Sequence, residues 1–149
     1  MARLSVVSVA DRAGFYTFAA ALRSSDYYDA LEADGPFTVF APTDAAFNAM
    51  SSVALDSFLH RDRAKLQQVL GYHFAPGRVV AARFASKRIR ATMRTGGEVL
   101  IDGRNGLKAN GARVIKPDLE AANGVVHGID ALLWPREASD SLGAAIAIR

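Results

Sequence analysis

Cysteine is absent from the 149-residue chain, which removes disulfides, thiolate zinc sites, iron–sulfur clusters and thiol nucleophiles at once. Histidine is scarce. His60, His73 and His127 are the whole set, none lies at His-x-x-x-His spacing, and no carboxylate is placed to finish a metal triad. The chain carries no Gly-x-Ser-x-Gly elbow and no phosphate-cradling glycine loop. Asp102-Gly103-Arg104-Asn105-Gly106 lacks the alternating oxygen ligands and the distal Glu of a calcium loop, so it reads as a hairpin turn. No apolar run is long enough to span a membrane. These absences predict no cofactor, no metal and no enzyme. A distant Ser–His pair assembled by folding is the one catalytic alternative left open.

Acid is missing locally as well. Between Asp62 and Glu98 there is no Asp or Glu, while Arg63, Lys65, Arg78, Arg83, Lys87, Arg88, Arg90 and Arg94 fall in that window. The whole chain is only +3, so the remainder is net acidic and a one-sided potential is predicted. A secretory leader pattern is missing too: the first apolar run is short, and Asp11 and Arg12 follow it. Either the protein is cytoplasmic, or a leader has been removed from a secreted one.

What is present suits one domain. Half the residues are hydrophobic (50%), enough for a core without staples in either redox setting. Helical spacing runs through Ser5–Arg12, Phe15–Leu22 and Tyr27–Leu31, with a stop at Gly35-Pro36. Phe37–Ala41 is a β-rich apolar run, predicted to be a strand covered on both faces. Thr43 is placed as the N-cap of a following helix, and Asp44 sits where it opposes the helix dipole. Helical spacing returns in Leu55–Leu59 and Arg63–Leu70, ended by Gly71, and Ala75-Pro76-Gly77 reads as a turn.

The second half changes period. Arg88, Arg90, Thr92 and Arg94 alternate with Ile89, Ala91 and Met93, the pattern of a half-buried strand with a basic outer face. Glu98–Asp102 is its partner across Gly96-Gly97. Asn105-Gly106 and Asn110-Gly111 are hairpin signals. Val114-Ile115 begins a strand ended by Pro117, and Val125–Ile129 follows the Asn123-Gly124 turn. Helices first and hairpins second give an α+β class with a largely antiparallel sheet. The apolar closing segment is predicted to pair with Phe37–Ala41. The tail from residue 137 to 149 is expected to be loosely docked.

Four stretches, in order, resemble the fasciclin domain family: Gly35-Pro36-Phe37-Thr38-Val39-Phe40-Ala41-Pro42-Thr43-Asp44-Ala45-Ala46-Phe47; Leu70-Gly71-Tyr72-His73-Phe74-Ala75-Pro76-Gly77; Lys108-Ala109-Asn110-Gly111-Ala112-Arg113-Val114; and Asn123-Gly124-Val125-Val126-His127-Gly128-Ile129-Asp130-Ala131-Leu132-Leu133-Trp134-Pro135. The likeness covers about Leu4 to Pro135, so the domain is taken as residues 1–136. It implies a fasciclin-like fold, with a helical first half on a β-sandwich or wedge. It also implies a cofactor-free role in adhesion, outside the cytoplasm or at membranes. Trp134 departs from it, standing where an aliphatic residue is more usual.

The resemblance implies candidate partner-binding residues. Tyr72 and His73 fall in the family's Tyr-His segment, which is tied to receptor recognition, and Asp118-Leu119 is similar to an Asp-Ile pair offered to integrins. The residues themselves allow a structural reading, because a buried Tyr or His is normally paired by hydrogen bonds. His127 alternates with Val125 and Ile129 and should face inward with them. Thr43, Asp44, Asn110 and Gly124 read as cap and turn chemistry. Arg88, Arg90 and Arg94 suit an anionic polysaccharide, a lipid headgroup layer or an acidic protein surface, or else a solvated strand face that discourages aggregation. Nucleic acid is disfavoured, since exposed aromatics for base stacking are missing. The function expected is a monomeric, non-catalytic binding module. An accessory subunit of an intracellular or membrane-bound complex is the alternative.

Overall fold

Ser5 opens the first helix, α1 (Val6–Arg12), its hydroxyl accepting from the Ser8 amide. Helix α2 (Tyr16–Ser24) starts at Phe15, which has no capping side chain of its own. The cap comes from far along the chain: Asp44 Oδ1 accepts from the Thr17 amide at 2.8 Å. Helix α3 (Tyr28–Ala33) completes the first helical cluster. The computed structural model describes residues 4–33, 35–104 and 106–134. Asn105 of the Asn-Gly signal, Pro135 and the expected tail lie outside these residues.

Strand β1 (Phe37–Pro42) is buried along nearly its whole length. Thr43 then caps α4 (Asp44–Asn48), accepting from the Ala46 amide. Helix α5 (Ser52–Asp56) runs into a wide π-type turn over Ser57–Arg61, and α6 (Arg63–Gly71) follows, capped by Asp62. The sequence reading put a turn at Ala75-Pro76-Gly77, and the chain bends only at Gly77, where φ is 99°. The chain instead makes a short edge strand, β2 (Phe74–Pro76), antiparallel to β1. Pro76 can sit there because an edge strand has a side that needs no amide donor.

Strands β3 (Arg88–Thr92), β4 (Glu98–Asp102), β5 (Lys108–Ala109), β6 (Ala112–Ala121) and β7 (Gly124–Ile129) complete one hydrogen-bonded order, β2-β1-β7-β6-β5-β4-β3. Every pairing is antiparallel except β1 with β7, which run parallel from Phe37↔Gly124 to Pro42↔Ile129. The expected closing contact is therefore present. Asn110 and Gly111 both adopt positive φ (49° and 88°), as a tight β5–β6 turn requires. Pro117 does not end its strand. β6 passes through it by skipping register between Lys116 and Leu119, so the missing amide falls in a bulge.

The long β6 belongs to two half-sheets and bends between them. Side chains alternate accordingly. Val39, Ala41 and Val126 join Val6, Phe18, Leu22, Leu66 and Leu70 in a core beneath the helices. Phe40 and Ile129 point the other way, into a second core with Phe84, Met93, Val99 and Ile101. Gly128 lets the helices approach, since a Cβ there would lie 2.2 Å from the Phe15 ring. The result is α+β, a helical layer on an open, wedge-like pair of half-sheets.

Candidate functional site

Burial first removes several candidates from the surface. The His73 ring is fully buried against Phe18. Its Nδ1–H donates to the Val69 carbonyl at 2.7 Å, and its Nε2 accepts from the Leu133 amide at 2.9 Å. These partners require the neutral imidazole. Burial pushes its pKa down to about 4, opposed in part by the bond to Val69. His127 is bonded in the opposite tautomer. Its Nδ1 accepts from the Asp118 amide at 3.1 Å, and its Nε2–H donates to the Val79 carbonyl at 2.9 Å. Burial lowers its pKa too, with the Val79 bond and the Asp118 carboxylate pulling the other way. His73 ties the end of α6 to the segment after β7, and His127 ties β7 to β6 and to the loop at Val79.

Asp118 is not in a loop after Pro117. It lies within β6 at the bulge, at φ 59°, with Oδ1 accepting from the Ala81 amide. Leu119 pairs with Val126 and packs on the helix-facing core. Leu119 thus serves the core, while the exposed Asp118 side chain is held at the bulge by its bond to the Ala81 amide.

The basic strand is partly compensated. Arg88 reaches Asp102 at 3.9 Å and Arg90 reaches Glu98 at 3.6 Å, both across the β3–β4 pair. Arg104 holds Asp102 more tightly, at 3.1 Å, and its bonds keep that carboxyl low, at about 2. Arg94 was expected on the same face, but β3 ends at Thr92 and the Arg94 guanidinium lies over the Tyr27 ring, 5.6 Å from its centre. Arg78 bonds Glu120 and Arg63 bonds Asp26. Acids from the next strand and from distant parts of the sequence thus pair with half of the basic window. Among the described residues, Arg83 and Lys87 have no ion pair or side-chain hydrogen bond.

One recess brings several of these residues together. It encloses about 820 Å³ between β3, β4, the β5–β6 turn and the segment after β7. Tyr72 forms its inner wall: buried, donating from its hydroxyl to the Glu98 carbonyl and accepting from Asn110 Nδ2 at 3.0 Å. Asn110 Oδ1 in turn accepts from the Leu100 amide. The exposed lining is Arg90, Glu98, Asn110 and Trp134, the last 44% accessible and packed on Phe58 and Lys65. The sequence reading treated Trp134 as a closing-edge substitution and gave Glu98 no site role. The available signal was that Trp134 is the chain's single tryptophan. Among the described residues no group of three or more His, Asp or Glu could hold a metal ion, and no helix is long and apolar enough to cross a membrane.

Comparison with known proteins agrees with the architecture. The chain is 40% identical over 126 residues to Protein sll1483 of Synechocystis sp., covering 81% of this chain and 67% of that protein. It is 35% identical to the cell surface glycolipoprotein MPB83 of Mycobacterium bovis over 68% of this chain and 44% of that one. Human periostin is 30% identical over 83% of this chain, which spans 15% of periostin. A solved FAS1 domain pair from the insect cell adhesion molecule fasciclin I superposes with a TM-score of 0.66 at 20% identity, over 90% of this chain and 50% of that one. With the fasciclin domain model matching residues 13–135, the chain belongs to the fasciclin domain family.

Proposed function

We propose that this domain is a non-catalytic, monomeric binding module of the cell surface or extracellular space, which grips a protein or polysaccharide partner in the Trp134 recess. The observation that carries the reading is the recess itself. It is a concave surface on rigid strands, with an exposed indole beside one cation, one anion and an amide. Tryptophan and arginine are the side chains that most often anchor an interface, and mixed polar groups around an aromatic suit either a peptide or a sugar ring. Cell-surface and adhesion relatives support the location. The fixed neutral histidines support a role without acid–base chemistry, since both ring nitrogens of each are occupied.

The test is binding of the purified chain to immobilised cell-envelope polysaccharides and proteins, read by interferometry. Trp134→Ala combined with Arg90→Glu should weaken binding tenfold or more while leaving Tm within a few degrees. Binding unchanged in that variant overturns the recess. Turnover of an ester, glycoside or peptide substrate that vanishes with a single Ser, His or Asp overturns the non-catalytic reading.

A further inference from the structure

The ordering of the sheet leaves β2 and β3 as its two edges, and folding at β6 brings them toward each other. They join at one end only, where the Arg94 amide donates to the Phe74 carbonyl at 2.8 Å and the Thr95 amide to the Gly71 carbonyl at 3.3 Å. Beyond those bonds the seam stays open. A cleft of about 330 Å³ runs into the second core there, beside the Trp134 recess, with which it shares Arg90.

Apolar side chains line its depth, while the free edges of β2 and β3 bring backbone groups to its rim. Phe40 and Phe84 form the depth of the cleft, Ala75 lies on one edge, and Ile89 and Ala91 lie on the other. Two threonines are in the lining: Thr92 is exposed at the end of β3, and Thr38 is engaged, its hydroxyl donating to the Gly77 carbonyl at 2.7 Å and accepting from the Val79 amide at 2.9 Å. Thr38 offers nothing to a ligand. At the mouth stand Arg83 and Lys87, exposed, lining the same cleft, and without an ion pair among the described residues. The other basic side chain at this opening, Arg90, is already matched by Glu98.

We propose that this seam is a binding site for a free single-chain amphipathic carboxylate of the fatty-acid type. Its hydrocarbon would enter between Phe40, Phe84 and Ala91, and its carboxylate would sit between Arg83 and Lys87. The apolar depth around Phe40, Phe84, Ile89 and Ala91 favours hydrocarbon over a charged body, whose desolvation these side chains do not repay. Two cations at the rim without ion-pair partners select an anionic head over a neutral or cationic one. The volume lies at the small end of ligand cavities, which typically span roughly 300–1,000 Å³. That suits one chain and not a two-chain lipid. The site shares Arg90 with the recess, so the two are told apart by Arg83 and Lys87 on the seam and Trp134 in the recess, which line one cleft each.

The test is titration of the full chain with laurate below its micellar range, followed by calorimetry, alongside dodecyltrimethylammonium and phosphatidylglycerol vesicles. Saturable one-to-one laurate binding is expected, with little or no binding of the cationic amphiphile. Arg83→Gln with Lys87→Gln should weaken laurate tenfold or more. Both residues are exposed, so that variant should fold normally. Ala91→Phe, which fills the slot, should abolish binding, with circular dichroism confirming the fold. Absence of saturable laurate binding, equal binding of the cationic amphiphile, or indifference to the rim variant would each overturn the proposal. So would binding to the vesicles alone, which would assign the rim to a membrane surface, or displacement of laurate by an extended peptide pairing with β3.

Discussion

The two cores share one sheet and behave differently. Beneath the helices, Val6, Phe18, Leu22, Leu70 and Val126 are fully excluded from solvent, and α1, α2 and α6 close the space over them. Between the half-sheets, Phe40 and Ile101 are equally buried, yet the space around them opens along the β2–β3 seam, and Tyr72 of the same core walls the Trp134 recess. A helical layer seals one face of β1 and β7. A second sheet with its own free edge cannot seal the other. Stability is concentrated on the helix side, and room for a ligand on the sandwich side.

Truncations should expose this difference most strongly. Phe18→Ala is expected to cost about 3–5 kcal/mol, because the helices around it cannot collapse into the void. Phe84→Ala, at the cleft, should fall at the low end, about 3 kcal/mol, since the open seam lets its surroundings relax or hydrate. Equal losses in urea melts of the two variants would remove the distinction.

Acid should act next, and through a joint between the two regions. His73 packs on Phe18 but bonds the Leu133 amide at the recess. An unfolded chain takes up a proton there below pH 6.5, and the folded one only below about 4. Stability is therefore full above pH 6.5 and declines as pH falls toward 4, by on the order of 3 kcal/mol from this group. His127, also lowered, acts in the same sense. Urea melts at pH 7.5 and 4.5 measure the loss, and His73→Gln should flatten that part of the dependence.

The smallest effect belongs to a cap confined to the helical side. Asp44→Ala removes the acceptor for the Thr17 amide and should cost about 1 kcal/mol. Amide exchange should rise in the first turn of α2 while β3 and β4 stay unchanged. Faster exchange across both would show that the cores are not separable.

Much of the fold was legible because its signals are local. The Thr43 cap, the Asn110-Gly111 turn and the β3–β4 alternation depend on neighbours in sequence. Asp44's second role was not, since its partner Thr17 becomes a neighbour only when α2 and α4 meet. The basic window misled for the same reason. Charge counted along the chain cannot include Asp26 or Glu120, which fold back onto Arg63 and Arg78. Pro117 looked like a strand end because a bulge that absorbs a proline has no local signature. The recess was hidden because Arg90, Asn110 and Trp134 come from three separate segments.

The parallel pairing of β1 with β7 has a consequence for the protein's birth on the ribosome. Of the described strands β7 is the last to be made, yet its place is in the middle of the sheet, between β1 and β6. Translation proceeds at about 5–20 residues per second, so the nascent chain spends seconds with β1 completed and its apolar flank uncovered. During that interval the helices can gather, but the sheet has a missing centre. Until the final strand slots in, the free flank of β1 is a place where a wrong strand can pair.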